Sequence, residues 1–429
     1  MPRNVFIPAL QEKQRQELET LRHTDELAFH GLLDTATLVE PSTLSFYNVL
    51  EQARQELGRF SGSVDAIVAH WDFPTSVMAP ILCRDYGIPS PSLESVFKCE
   101  HKYWSRKEQE KVIPEMVPRF CSVDPFADDP LKQLELDYPF WLKPVKAFSS
   151  QLGFKIENDA QFLAAIETIK GEIRHFGDPF NEALAHIDLP DEIRRADGNT
   201  CIAEQLIAGV QGAPEGTMFQ GEFNVHGVFD QPCDEDEALF DRLEYPSSLP
   251  ETVQRRMIDA SRRFLEHIGF DNGCFNAEFM WDEASDHLWL VEFNTRISQS
   301  HSEMFIMVDG MSNHEVAIDI ALGQRPAMIN RQGRFPVAAK CLIPHEHVDK
   351  IVTRVPTQQE CDALAERYPG TLVELDVAPG DRLGELPNQD SFAYHLGTVY
   401  IGAESHEQIR ERYHACLEAL QFEFDPVDS

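Results

Sequence analysis

The sequence predicts a mixed α/β and α+β protein with an open parallel sheet at its N-terminus. Over the first 96 or so residues, short apolar runs alternate with helical ones, the pattern of parallel strands joined by crossover helices. Further on, two strand-like runs, CFNAEFMW and LWLVEFNT, flank the polar stretch DEASDH and read as an antiparallel hairpin. Hydrophobic residues make up 42% of the 429, enough for a sizeable core. No run approaches the roughly 18 apolar residues that would cross a bilayer.

In chain order, VDAIVAHWD (Val64–Asp72) reads as a buried strand. SVMAPILCRDYGIPS (Ser76–Ser90) reads as a helix stopped by Gly87 and Pro89. A polar connector is expected from Phe97 to Asp137, then a strand, YPFWLKPV, ending at Pro144. A helix follows from about Asp159 to Ile173, with Phe162, Leu163, Ile166 and Ile169 on one face. The stretch 176–199 reads as loop. CIAEQLIAG (Cys201–Gly209) restarts strand structure, and Pro250 and Gly269 bracket a helix with the stripe Val253, Met257, Ala260, Phe264 and Ile268. From Phe335 an α+β segment ends in the helix SHEQIRERYHACLEAL.

The formal charge of −35 opposes encounter with nucleic acid or an anionic membrane. Nine scattered cysteines without a CxxC pair fit reduced thiols, and the N-terminus predicts no signal peptide, so a cytoplasmic protein is expected.

The hairpin carries the first chemistry. If Asp282 pairs with Leu288, Glu278 stands directly opposite Glu292, with Asn294 two positions on and the apolar Met280 and Leu290 on the same face. Like charges so placed are destabilising and call for a shared proton or a cation. Mg²⁺ suits carboxylate and amide oxygens. The alternative is a solvent-facing edge hairpin. Lys143, in an otherwise apolar strand, needs an anion, and the turn after it offers Ser149, Ser150 and Gly153 for wrapping a phosphate. A snorkelling lysine beside an ordinary turn explains the same residues. His70 and Asp72 end a strand of the first unit, where α/β sheets bind ligands.

Together these pieces resemble the ATP-grasp superfamily. The resemblance implies an ATP-grasp fold with an N-terminal Rossmann-like domain (1–97), a two-part nucleotide clamp (98–334, hinge near 201–209) and a C-terminal α+β segment completing it (335–429). Lys102 looks like the first phosphate lysine, with His101 where the family usually has Asp, and Lys143 like the second. Ser149, Ser150 and Gly153 match a Gly-rich lid loop in which Ser largely replaces Gly. AEQLIAG resembles the adenine hinge, with Glu204, Gln205, Leu206 and Ile207, although GVQGAPEGTMFQGEF looks looser than the strand that usually follows. Glu278, Glu292 and Asn294 match the metal ligands and Arg296 the residue that holds the acyl phosphate or substrate carboxylate. His301 is a candidate base or a structural histidine.

Local similarity to biotin carboxylase and carbamoyl-phosphate synthase runs through NTRIS…H and VDGMSNHEVAIDIALGQRP. Ser300 stands where biotin carboxylases have a catalytic Glu, which favours a stand-alone carboxylate–amine ligase. The implied cofactors are ATP with Mg²⁺ or Mn²⁺, and the implied partners are a small carboxylate, such as an amino acid, and an amine. Related ligases are often homodimers. The competing expectations are an ATP-binding regulatory or scaffolding protein and a ligase using a non-amine nucleophile.

Overall fold

The computed structural model describes residues 2–38, 44–147, 152–232, 242–386 and 393–427. At the N-terminus Arg3–Pro8 is the middle strand of a three-stranded parallel sheet, between Leu27–Leu32 and Ala66–Ile67. The strand expected over Val64–Asp72 is thus shorter. The Val68 amide still reaches the Phe6 carbonyl at 2.9 Å, and the chain then leaves the sheet, which frees residues 70–72 to line a cavity. Helix Thr75–Tyr86 ends at Gly87, whose φ of +66° closes the last turn at no steric cost.

The expected polar connector is largely helical, with Leu93–Glu100 followed at once by Lys102–Val112. Ser92 caps the first by accepting from the Ser95 amide, while Leu93, Val96 and Phe97 pack into the N-terminal core. The helix expected to stop near Ile173 continues to Leu184, through Pro179. Phe180, Ala183 and Leu184 are fully buried in the N-terminal core, and that packing carries the helix past its proline. Leu163, expected on the apolar face, is instead 44% exposed, whereas Phe162, Ile166 and Ile169 are buried.

Two further sheets frame the site. The smaller is antiparallel, in the order Phe120–Val123, Cys201–Gln205, Phe140–Pro144, Phe154–Ile156. The larger has eight strands, ordered His287–Asn294, Gly273–Asp282, Val210–Phe219, Glu222–Gln231, Arg242–Tyr245, Val337–Glu346, Ala393–Ala403, Thr371–Leu375. The C-terminal strands therefore extend the sheet that carries the hairpin. A further pair, Lys350–Arg354 and Glu423–Pro426, lies apart.

The stretch read as loose is the long strand Val210–Phe219, entered directly after the hinge. Pro214 is tolerated because its missing N–H falls where the ladder to Gly273–Asp282 is interrupted, between Glu215 and Gly212. Helix Glu251–Ile268 covers this sheet with the expected stripe buried, and Gly269 ends it at φ +68°.

Candidate active site

The hairpin does not take the expected register at its turn. Asp282 pairs with His287, not Leu288, a slip of one residue. A β-bulge between Glu278 and Phe279 then takes up one extra residue, Val291, and Glu278 faces Glu292 after all. The bulge also inverts the strand, so Leu290, expected beside the acids, pairs with Phe279 and is fully buried on the opposite face.

Sequence reasoning missed the residue that holds this bulge. Arg106, 4% exposed, donates from Nη1 to the Leu290 carbonyl (2.9 Å) and from Nη2 to the Val291 carbonyl (2.8 Å). Its Nε bonds Glu204 at 2.6 Å. A fork of N–H groups suits such divergent acceptors, and a lone arginine among the lysines and glutamates of KYWSRKEQEK is no signal at all.

A cavity of about 370 Å³ collects most of the expected residues: Glu278, Glu292 and Asn294 on the hairpin, Lys102, Lys143, and Gly153. Ser149 and Ser150 lie outside the described residues. Lys102 opens its helix, and His101 caps it: Nε2 donates to the Ala196 carbonyl (2.7 Å), leaving Nδ1 to accept from the Trp104 amide (3.3 Å). Burial holds His101 neutral, down to about 4, so it can play the N-cap role an aspartate would. Lys102 Nζ stands 3.7 Å from Glu292. Lys143 Nζ contacts Glu204 at 2.6 Å.

A third ammonium joins them. Lys146, 5% exposed, pairs with the buried Glu100 in the same cavity. It sits three residues beyond Lys143, where the strand has ended, and the spacing KPVK was its only trace in sequence.

The two opposed carboxylates are not equivalent. Burial and the neighbouring Glu292 push Glu278 up to about 8. Burial would raise Glu292 as well, but Lys102, Lys143 and Lys146 outweigh it and hold that carboxylate below its usual range. Among the described residues Glu278 accepts only amide hydrogen bonds, from Gln211 (3.1 Å) and Asn294 (3.3 Å), and forms no ion pair, Arg296 acting on it only from a distance. Two carboxylates and an amide make a hard oxygen set of the kind Mg²⁺ takes. Among the described residues no group of three or more His, Cys, Asp or Glu is placed to hold a metal.

Arg296 grips Asp72 with two bonds, Nε to Oδ1 at 2.7 Å and Nη2 to Oδ2 at 2.8 Å. Burial works against the Asp72 anion, yet Arg296 brings its carboxyl down to about 2. Asp72 lines both the first cavity and a second of about 450 Å³, which Arg296 also lines. The pair thus stands at the join of two cavities. Lys340 reaches Ser300 Oγ at 2.9 Å in the second.

Two expectations fare differently. His301 lines neither cavity: it is 3% exposed, its Nδ1 meets Glu215 at 2.7 Å, and its ring stacks on Phe229 at 3.6 Å. Of the hinge residues, Glu204 points its carboxylate at Arg106 and Lys143, which hold it down to about 2 against its burial. Gln205 ends its strand, and Leu206 and Ile207 lie in the link that crosses from the smaller sheet to the larger.

Residues 136–303 match the family model of the ATP-grasp domain. That match spans 168 of the 429 residues. It covers the lysine strand, the hinge and the hairpin with its acids. The uncharacterized protein y4rH of Sinorhizobium fredii is 24% identical over 314 residues, 71% of this chain, and the chain spans 59% of that relative's length.

Among solved structures, the L-amino acid ligase from Bacillus licheniformis superposes with a TM-score of 0.74 at 16% identity, covering 99% of both chains. The biotin carboxylase domain of Hydrogenobacter thermophilus 2-oxoglutarate carboxylase, determined with magnesium ADP and bicarbonate, superposes at 0.62 and 17% identity, covering 99% of this chain and 91% of its own. At such identities these likenesses establish the fold, and the ATP-grasp fold expected from sequence is the one found. Among the described residues no helix is long and apolar enough to cross a membrane.

Proposed function

We propose that the protein is an ATP-dependent ligase that activates a small carboxylate as an acyl phosphate and joins it to an amine, releasing ADP and phosphate. The observation that carries this reading is the pairing of the two cavities. One sets three ammonium groups against an oxygen-donor hairpin, the other adjoins it across the Asp72–Arg296 pair.

In this reading Lys102, Lys143 and Lys146 neutralise the phosphates of ATP, and Glu278, Glu292 and Asn294 hold Mg²⁺. The metal, when bound, screens the phosphate charge that otherwise repels an incoming carboxylate. Arg296 exchanges Asp72 for the substrate carboxylate and brings it to the join between the cavities. Glu204 keeps Lys143 in place, the link 206–209 forms the adenine hinge, and Arg106 keeps the acids on the cavity face. His301 serves as a structural residue that anchors helix Gln299–Asp309 to Glu215. The division at 97/98 and 334/335 belongs to the same proposal, with the last segment extending the hairpin's own sheet.

The test is ADP release across a matrix of amino acids, small acids and amines with Mg-ATP. Release above background with at least one carboxylate–amine pair, lost in Glu292→Ala, supports the ligase. Nucleotide binding without any stimulated release is the outcome that replaces it with a regulatory ATP-binding protein.

A further inference from the structure

The second cavity has two electrostatic poles. At one, Arg296 is influenced by Asp72, Glu100 and Glu278, toward the ATP-grasp hairpin. At the other, Glu17, Glu303, Glu374 and Asp376 surround Tyr400, and the phenol is raised by its burial and by those four carboxylates. The poles are built by different parts of the chain. Glu17 comes from helix Glu12–Glu19, Glu303 from helix Gln299–Asp309, and Glu374 and Tyr400 from neighbouring C-terminal strands.

Charge is unbalanced at the acidic pole. Five acids line the cavity against three cations. Arg296 is taken by Asp72, Lys13 by Glu374, at 2.5 Å, and Lys340 reaches the Ser300 hydroxyl and acts on Asp376 from a distance. Glu17 has only the Ser312 hydroxyl at 3.3 Å and the Nε2 of His314 at 3.5 Å, a ring that burial brings down to about 4 and so leaves uncharged near neutral pH. Glu303 and Asp376 have no ion pair or side-chain hydrogen bond among the described residues. Burial raises all three, with acidic neighbours adding to it and Lys13, joined at Asp376 by Lys340, working against it.

An independent observation points to a ligand. Tyr400 is 6% exposed and lines the cavity, yet its hydroxyl makes no hydrogen bond among the described residues. That hydroxyl has no protein partner among the described residues of the cavity, where Glu17 and Glu303 are half-buried and Asp376 is exposed. One occupant answers both: a cation that donates hydrogen bonds to the acids and lies against the aromatic ring.

We propose that the pole formed by Glu17, Glu303, Asp376 and Tyr400 is a subsite for a primary ammonium or guanidinium group on a flexible chain. One of the two substrates is then a basic compound, either a basic amino acid or a diamine. The substrate class rests on the ligase reading; the cation subsite itself does not.

Binding without turnover separates the two. Calorimetry on the full chain with L-lysine, L-arginine, putrescine and agmatine is compared with L-norleucine and L-glutamate. The basic compounds are expected to bind at least tenfold more tightly than norleucine, and glutamate not at all. Glu303→Gln combined with Asp376→Asn weakens the cations at least tenfold, with melting temperature as the control for folding. Tyr400→Phe, which is expected to fold, weakens them severalfold by losing the hydroxyl.

Binding confined to lysine and arginine sets their carboxylate on Arg296, and binding of all four marks an amine acceptor; both support the subsite. Norleucine binding as tightly as lysine, or a double variant that keeps its affinity for cations, overturns it. A null ADP-release matrix beside selective cation binding removes the ligase and leaves the subsite. Release driven by neutral substrates alone, without cation binding, does the reverse.

Discussion

At the scale of the residue, Glu278 is the most consequential titrating group. Its pKa is raised in the folded protein, so the unfolded chain loses the proton first as pH rises. The contribution of this residue to stability therefore falls between about 4.5 and 8 and is fully unfavourable above that window. Glu278→Gln is expected to stabilise the metal-free protein by roughly 1–2 kcal/mol at pH 7, read by denaturant unfolding, while eliminating any Mg²⁺-dependent activity. Unchanged stability would show that folding does not raise the Glu278 pKa. The same proton competes with metal. Mg²⁺ affinity, titrated in the presence of ADP, should rise with pH by up to roughly tenfold per unit below 8 and then level off.

At the scale of the element, the bulge at Val291 takes up the slip in register and leaves Glu292 opposite Glu278. Deleting Val291 should remove the bulge and leave Glu292 in regular register opposite Glu278, so Mg²⁺ binding survives while Arg106 loses a carbonyl partner and the hairpin is destabilised. Calorimetry and thermal melting read the two effects. Arg106→Lys is subtler. Lysine keeps the charge beside Glu204 but cannot reach two bulge carbonyls as a planar fork does. The variant should fold, with a Mg²⁺ requirement raised several-fold and little change in affinity for ATP. An equal loss of both would instead point to a general packing role. Arg106→Ala leaves the buried Glu204 with Lys143 alone and should cost about 3–5 kcal/mol.

Across the whole molecule, a formal charge of −35 means that the folded state carries strong self-repulsion. Added NaCl, from low salt to about 0.5 M, should raise the melting temperature, because screening relieves long-range repulsion more than it weakens the short, largely buried ion pairs of the cavities. A falling melting temperature would mean that local pairs dominate. The tertiary arrangement also concentrates cations where the surface is acidic. Lys102, Lys143 and Lys146 come from one helix start and one strand end and share a cavity with two carboxylates of a distant hairpin.

The sequence by itself determined the fold class, the main helices with their glycine stops, and the hairpin whose alternation presents Glu278, Glu292 and Asn294. Those features are written in local periodicity and in turn chemistry, which act over a few residues. Only the tertiary structure decided the register, since the bulge and the arginine that supports it come from contacts between residues 106 and 291. It also carried the long helix past Pro179, where burial of Phe180 outweighs a local breaker, and turned His301 from the cavities to Glu215. Asp72 is the clearest case. An acid at a strand end is ordinary in sequence, and it became the join between two cavities because the fold delivers Arg296 to it across 224 positions of chain.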